Sequence, residues 1–240
     1  MLLNNFEQKL LALEKYFNDH EIFRYSPSLK SPALLKFRSY LLTSTKIRFL
    51  IYWGIGYKKE FDIVDHQAIE YQKKIIIDIS EILNLDYVVQ YIITDTHATI
   101  NNIPQTTVHS YIESAKKNLQ SYKYNTMLMS SLLKKYHIPE IKKLIDSYNI
   151  EHILNNASYK SLLDGLVKQS QKYPIMGNSL DYLKSNIIEN SIIEEEFSEY
   201  IFITYSAPET KLLLPNLPKL YTYVNKDKQI KRPWFNEGKK

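Results

Sequence analysis

Cysteine is absent from the 240-residue chain, and both glycine and arginine are scarce. The lack of cysteine excludes disulfides, thiolate nucleophiles and cysteine metal sites. No apolar run reaches the roughly 18 residues that a membrane helix needs. The first residues mix acidic and basic side chains in a helical pattern, which is not the pattern of a secretory signal. We therefore expect a cytoplasmic globular protein without a membrane partner.

The net charge is +5, and the basic excess lies in two segments. Residues 111–175 hold 10 basic and 5 acidic residues, and residues 211–240 hold 8 and 2. Only four of the 31 cations are arginine. A lysine-rich solvated surface explains these segments, and so does an RNA footprint made of phosphate contacts with little base reading. The candidate tRNA contacts are Lys116, Lys117, Lys134, Lys135, Lys142 and Lys143.

Apolar runs typical of buried strands alternate with amphipathic helical segments along the chain. The predicted strands are 47–53, 86–94, 124–129, 199–205 and 220–224, and the main helices between the first three are 65–83 and 105–121. This alternation predicts parallel strands with right-handed crossovers. The expected fold class is α/β: a Rossmann-like parallel sheet of about five strands, with helices on both faces and a helical elaboration at 130–198.

The domain organisation that we expect is one domain over 1–240. It begins with an amphipathic helix at 3–18 and ends in a basic tail at 225–240. A helical elaboration within one α/β domain explains the pattern better than two domains do.

The few glycines include a close pair, Gly54 and Gly56, at the end of the first predicted strand. Glycine lets a ligand approach the backbone closely, and amides at such a strand end can bind a carboxylate or phosphate. A tight turn without a ligand is the alternative. The dinucleotide fingerprint needs a third glycine where Lys59 stands, so NAD is disfavoured and no cofactor is expected.

The second predicted strand ends in Asp95-Thr96-His97. A carboxylate there can hold a substrate ammonium group, and an imidazole can move protons. The spacing puts Asp95 and His97 on one side if the strand continues. The alternative is that Asp95 caps a helix or turn. No metal is expected, because these residues and His66 lack the ligand spacing of zinc sites.

A late helix at 178–198 carries Tyr182 and Glu189, which share a face two turns apart. A tyrosine with a carboxylate can orient a substrate amine, although a solvated acidic helix face is the alternative. The ends of parallel strands meet at one edge of a sheet, so we expect one pocket there. Its catalytic candidates are Asp95, His97, Tyr182, Glu189, Tyr205 and Ser206. Its substrate-binding candidates are Tyr52, Trp53, Gly54, Gly56, Tyr57 and Asn101.

These elements resemble the tRNA-dependent cyclodipeptide synthases, which have a Rossmann-like domain similar to that of class I aminoacyl-tRNA synthetases. The matching features are the glycine loop after 47–53, the strand ending Asp95-Thr96-His97, the helices of 130–198 and the strand ending at Tyr205. The resemblance covers roughly residues 45–210. It implies an enzyme that joins aminoacyl groups taken from charged tRNA, in natural product biosynthesis.

The chain departs from this family at three positions. The loop 52–57 has no serine where the family carries its nucleophile. The family's tyrosine is followed four residues later by glutamate, whereas Tyr182 is followed by Asn186. Ser206 replaces the histidine or proline that follows the late tyrosine. The acyl-serine mechanism is therefore not carried over, and transfer is expected to be direct or through another nucleophile such as Ser206.

Two other functions stay open. The layout also resembles the isocyanide synthases, Rossmann-like enzymes that act on tyrosine or tryptophan with a sugar phosphate and without tRNA. Such an enzyme would use a small-molecule amino-acid substrate and have no affinity for RNA. The other alternative is a non-catalytic RNA- or protein-binding module, in which changes at Asp95 and His97 have no chemical consequence.

Overall fold

A computed structural model describes residues 5–20, 23, 27–43, 45–55, 58–138, 140–172, 178–205 and 211–222. The helices in these ranges are α1 (Asn5–Asp19), α2 (Pro32–Thr43), α3 (Ile63–Leu83), α4 (Asp95–Ile100), α5 (Gln105–Ser121), α6 (Met129–Lys135), α7 (Ile141–Ser147), α8 (Ile150–Leu154), α9 (Ala157–Lys172) and α10 (Ser179–Glu196). The strands are β1 (Ile47–Trp53), β2 (Tyr87–Ile93), β3 (Asn125–Leu128), β4 (Ile201–Thr204) and β5 (Lys219–Tyr221).

The five strands form one sheet in the order β3-β2-β1-β4-β5, and all neighbouring pairs are parallel. This confirms the predicted α/β fold class. The chain runs outward from β1 to β3, passes through α6 to α10, and returns to β4 on the other side of β1. The direction of winding therefore reverses between β1 and β4. In open parallel sheets, ligands bind beyond the carboxyl ends of the strands at such a reversal.

Side-chain alternation along β1 defines the two faces of the sheet. Ile51 and Trp53 belong to a core shared with buried residues of α1, α2, α3 and α5, and we call this side the α3 face. Leu50 and Tyr52 pack on the other side with residues of α6 and α10, which we call the α10 face. Both faces of β1 are covered, which is why its sequence is a continuous apolar run rather than an alternating one.

Local signals fix the ends of α3. The Asp62 side chain accepts hydrogen bonds from the backbone of Val64 and Asp65, and the Asp65 side chain bonds back to the backbone of Asp62. This capping box starts the helix at Ile63, two residues before the predicted start. The helix ends at Asn84, whose φ of 51° is the left-handed conformation that asparagine tolerates.

The ends of the chain lie largely beyond the described residues. The predicted helix at 3–18 corresponds to α1, Asn5–Asp19, and the predicted basic tail at 225–240 lies outside the described residues. None of the described helices is long and apolar enough to cross a membrane.

Candidate functional site

Glu189 is the buried centre of a polar cluster on the α10 face. Its helix, α10, contacts α4, α6, α7 and α9, which cover the side of the helix that carries Glu189. The Glu189 side chain has no exposed surface. A buried carboxylate is costly unless it is paired and hydrogen-bonded, so the position of each nearby polar atom matters.

Two hydroxyl groups donate to the same oxygen of Glu189. The Thr96 hydroxyl, from α4, lies 2.6 Å from Oε1, and the Ser185 hydroxyl, one turn earlier on α10, lies 2.9 Å from it. Both donors are buried. Oε1 is therefore fully engaged by the protein.

The other oxygen of Glu189 is not engaged in this way. Nε2 of His97 lies 2.7 Å from Oε2, but the ring N–H is not aligned with that line. Within the described residues, neither atom has an aligned hydrogen-bond partner, and the buried hydroxyl of Tyr52 has none either. We call Tyr52, Thr96, His97, Ser185 and Glu189 the Glu189 cluster.

Tyr52 enters this cluster from the end of β1. Burial, and after it the proximity of Glu189 and Tyr182, raises the pKa of Tyr52 well above its ordinary value. Its phenol therefore stays neutral and can donate a hydrogen bond at physiological pH. The Tyr182 ring packs on the His97 imidazole, with centroids 4.8 Å apart and planes tilted by 53°. The structure thus brings together four of the predicted site residues, namely Tyr52, His97, Tyr182 and Glu189.

The Asp95 side chain has a different partner from the His97 side chain. Helix α4 begins at Asp95, so the strand does not continue, and the condition for placing Asp95 and His97 on one side is not met. Oδ1 of Asp95 accepts the backbone N–H of Ser130, at 2.9 Å, in the first turn of α6. An anionic group is favourable at a helix N-terminus. Asn101 follows the end of α4, where its N–H donates to the carbonyl of His97.

A second polar cluster lies on the α3 face. The Trp53 indole N–H donates to the Tyr111 hydroxyl at 2.8 Å, and that hydroxyl donates to Oδ1 of buried Asp65 at 2.9 Å. Oδ2 of Asp65 accepts from the Lys58 ammonium at 2.5 Å and from the backbone N–H of Asp62 at 2.9 Å. We call Trp53, Lys58, Asp62, Asp65 and Tyr111 the Asp65 network. Both oxygens of its buried carboxylate are engaged by the protein.

The structure does not bring all the predicted strand ends into one pocket. Trp53 belongs to the α3 face, and Tyr205 lies beside Tyr71 and Gln72 of α3. The prediction of one pocket is wrong for these two residues, because alternation along β1 puts Tyr52 and Trp53 on opposite faces. Gly54 follows β1 directly and is partly buried. The predicted site residues outside the described part of the chain are Gly56, Tyr57 and Ser206.

The six lysines predicted to bind tRNA lie on α5, α6 and α7, and all but the half-buried Lys116 are exposed. Three of them pair with carboxylates: Lys116 with Glu113, Lys135 with Glu196, and Lys143 with Glu140. Lys117, Lys134 and Lys142 take part in no ion pair among the described residues. His66 contacts Tyr122 and Phe61 rather than His97.

Sequence reasoning missed the roles of Thr96 and Ser185. Ser185 had a usable signal, because residues four apart on a helix are neighbours and Glu189 is four residues later. No local sequence signal indicates the role of Thr96, because its contact with Glu189 depends on how α4 packs against α10. Asn186, four residues after Tyr182, donates to the Tyr182 carbonyl.

Comparison with known proteins identifies the fold. No protein-family model matches the chain, and no curated protein matches it in sequence. Among solved structures, the chain is similar to the PvcA protein from Pseudomonas aeruginosa, with a TM-score of 0.63 and 8% sequence identity. The match covers 94% of this chain and 87% of that one. At 8% identity the comparison shows a shared α/β fold, and any statement about the chemistry must rest on the side chains of the site.

Proposed function

We propose that the protein is an enzyme that binds the α-ammonium group of an amino-acid-derived substrate at Glu189. The observation that carries this proposal is the buried oxygen Oε2, which has no aligned donor among the described residues. An ammonium group supplies three N–H donors and a positive charge. A bound ammonium group would offset the cost of burying the Glu189 carboxylate. Tyr52 is neutral and the His97 N–H is not aligned with Oε2, so neither offsets that cost.

The neighbouring groups support acyl transfer to the amine. An ammonium must lose a proton before its nitrogen attacks a carbonyl, and His97 is placed to take that proton. As the new C–N bond forms, the neutral Tyr52 phenol donates to the oxygen that becomes negative. His97 releases the first proton to solvent and takes the second from the nitrogen after it has attacked. The C–O bond of the acyl ester then breaks, and the proton held by His97 passes to the leaving oxygen. The products are an amide, an alcohol and one proton released to solvent.

The first candidate substrate is an aminoacyl group on tRNA, as in the cyclodipeptide synthases. A free amino acid brings a carboxylate that needs a cation, whereas an ester does not. Among the described residues, no lysine or arginine contacts Glu189, His97 or Tyr52. Lys184, beside Ser185 on α10, donates to the carbonyl of Ile145 instead. In this proposal the exposed lysines Lys117, Lys134 and Lys142 meet tRNA phosphates.

The second candidate is a free amino acid without tRNA, as in the isocyanide synthases. The observation in its favour is that three of the six candidate tRNA lysines are neutralised by nearby carboxylates. Paired lysines release fewer counterions from a nucleic acid and contribute less to its binding. The same Glu189 site then serves a small molecule.

Binding measurements distinguish these candidates. Purified protein is titrated with a mixture of charged tRNAs, with the same tRNAs after deacylation, and with a panel of free amino acids. The tRNA candidate predicts tighter binding of charged tRNA and an affinity that falls steeply with salt. The free-amino-acid candidate predicts saturable binding of one amino acid and no preference for charged tRNA.

The expressing culture provides the test of catalysis. Mass spectrometry of its extract should show a new small product that disappears when Glu189→Gln replaces the wild type. The control is Glu195→Gln, an exposed carboxylate on the same helix, which should keep the product. Binding of RNA or protein that is unaffected by Glu189→Gln, with no product in several hosts, would contradict the enzyme proposal and favour a binding module.

A further inference from the structure

The hydroxyl of Ser185 makes an unusual bond for a helix residue. Serine and asparagine side chains inside helices commonly bond back to a carbonyl three or four residues earlier. Three neighbours on α10 do this: Asn186 bonds to the Tyr182 carbonyl, Asn190 to the Asn186 carbonyl and Ser191 to the Ile188 carbonyl. Ser185 instead donates forward to the Glu189 side chain, 2.9 Å away.

Thr96 directs a second hydroxyl to the same atom from a different helix. Its Oγ1 lies 2.6 Å from Oε1 of Glu189, so one carboxylate oxygen receives two donors from two elements. Two such bonds from different directions fix the rotation of the carboxylate plane. Oε2 is therefore held toward His97 and Tyr52, the side without aligned donors.

We propose that Thr96 and Ser185 are positioning residues that orient Glu189, so that Oε2 is presented to the ammonium group of the substrate. Their effect on the ligand rests on the function proposed above, whereas their effect on the carboxylate does not. Hydrogen bonds to an ionised acceptor are about twice as strong as neutral ones, so two hydroxyls are sufficient to hold it. Because the carboxylate is already oriented, substrate binding does not lose free energy to ordering this side chain.

Paired probes test this role. The first probe is the amino-acid amide that binds the wild type best, and the second is the same amide without its amino group. Thr96→Val and Ser185→Ala should each weaken binding of the first probe about tenfold and leave the second unchanged, because only the amine meets Oε2. Thr96→Ser keeps the hydroxyl and should restore the affinity.

The control variant is Ser191→Ala, which removes an exposed hydroxyl from the same helix and should change neither affinity. Equal weakening of both probes by Thr96→Val would indicate general damage to the site and overturn the proposal. Unchanged affinity of the first probe in both variants would overturn it as well.

A ligand-free measurement separates this proposal from the proposed function. Thr96→Val, Glu189→Leu and the double variant are unfolded with urea, and their free energies of unfolding are compared; leucine is used because glutamine would keep an oxygen that accepts from Thr96. Residues joined by a buried hydrogen bond show non-additive effects. If the two substitutions have non-additive effects on stability but no amide binds, the proposed function is refuted, while the proposal that Thr96 orients Glu189 stands. Additive effects would refute the orientation whatever the ligand result.

Discussion

Asp65 and Glu189 are two fully buried carboxylates near the same edge of the sheet, on opposite faces. Asp65 has donors on both oxygens, including the Lys58 ammonium. Glu189 has two hydroxyl donors on one oxygen and only the unaligned His97 nitrogen at the other. Burial alone therefore does not distinguish these two carboxylates. The distinction lies in whether the protein itself supplies every hydrogen bond.

The tyrosines of the two clusters show the same contrast. The Tyr111 hydroxyl accepts from Trp53 and donates to Asp65, so both of its roles are used. The Tyr52 hydroxyl is equally buried and has no partner among the described residues. A buried donor left without a partner costs stability.

The largest effect on stability is expected for Asp65→Ala. This change leaves the buried Tyr111 hydroxyl without its acceptor and takes from the Lys58 ammonium the nearer of its two carboxylates, with Asp62 at 3.1 Å remaining, so the free energy of unfolding should fall by about 3 kcal/mol. Urea denaturation measures it. The control is Glu70→Gln on the same helix, whose exposed ion pair with Lys73 should be worth less than about 0.5 kcal/mol. Equal losses in the two variants would contradict the structural role of Asp65.

Tyr111→Phe should have the next largest effect. It removes one hydroxyl, which leaves the Trp53 indole N–H without an acceptor and Asp65 with one donor fewer. We expect a loss of about 2 kcal/mol in the free energy of unfolding. The urea midpoint reports it, and an unchanged midpoint would show that the Asp65 network contributes little.

A smaller effect should appear in the pH dependence of the free energy of unfolding, through the titration of Asp65. Burial raises the pKa of its carboxyl above the ordinary value, although hydrogen bonds from Lys58 and Asp62 act in the opposite direction. An acid with a raised pKa in the folded state stabilises the fold below its unfolded-state pKa, and this contribution is lost as pH rises through the folded-state value.

The wild type should therefore lose stability relative to Asp65→Asn as pH rises from about 4. Denaturation at a series of pH values checks the sign. A wild type that gains stability relative to this variant over the same interval would contradict the prediction.

Tyr52→Phe should have the smallest effect on stability. The chemical change is the same as in Tyr111→Phe, but here the lost hydroxyl has no partner among the described residues. The free energy of unfolding should stay within about 0.5 kcal/mol of the wild type or rise slightly. A loss as large as that of Tyr111→Phe would remove the contrast between the Asp65 network and the Glu189 cluster.

The sequence predicted the sheet well because its strands carry a strong local signal. The first predicted strand, 47–53, coincides with β1, and its apolar run follows from burial on both faces. The second was predicted to run to residue 94, but β2 ends at Ile93 because Asp95 starts a helix. The capping box of Asp62 and Asp65 is a local signal that starts α3 at Ile63, two residues before the predicted start.

The sequence predicted the site less well, because the site depends on which face of the sheet each side chain occupies. Tyr182 and Glu189 were predicted to share one face of a helix, and the structure places both near Tyr52 and His97. Periodicity does not say which helix covers which face of a sheet. One pocket was predicted to include Trp53 and Tyr205, whereas both lie on the α3 face. The hydroxyl of Thr96 reaches Glu189 from another helix, and no local pattern encodes that contact.

The central claim is that Glu189 serves a ligand and Asp65 serves the fold. The most direct measurement compares Glu189→Gln with Asp65→Asn, each assayed for urea stability and for calorimetric binding of the best amino-acid amide. We expect Glu189→Gln to keep its stability and to bind about 100-fold more weakly, because a charged partner is lost from a buried pair. Asp65→Asn should lose stability and keep its affinity. Unchanged amide binding in Glu189→Gln would contradict the claim.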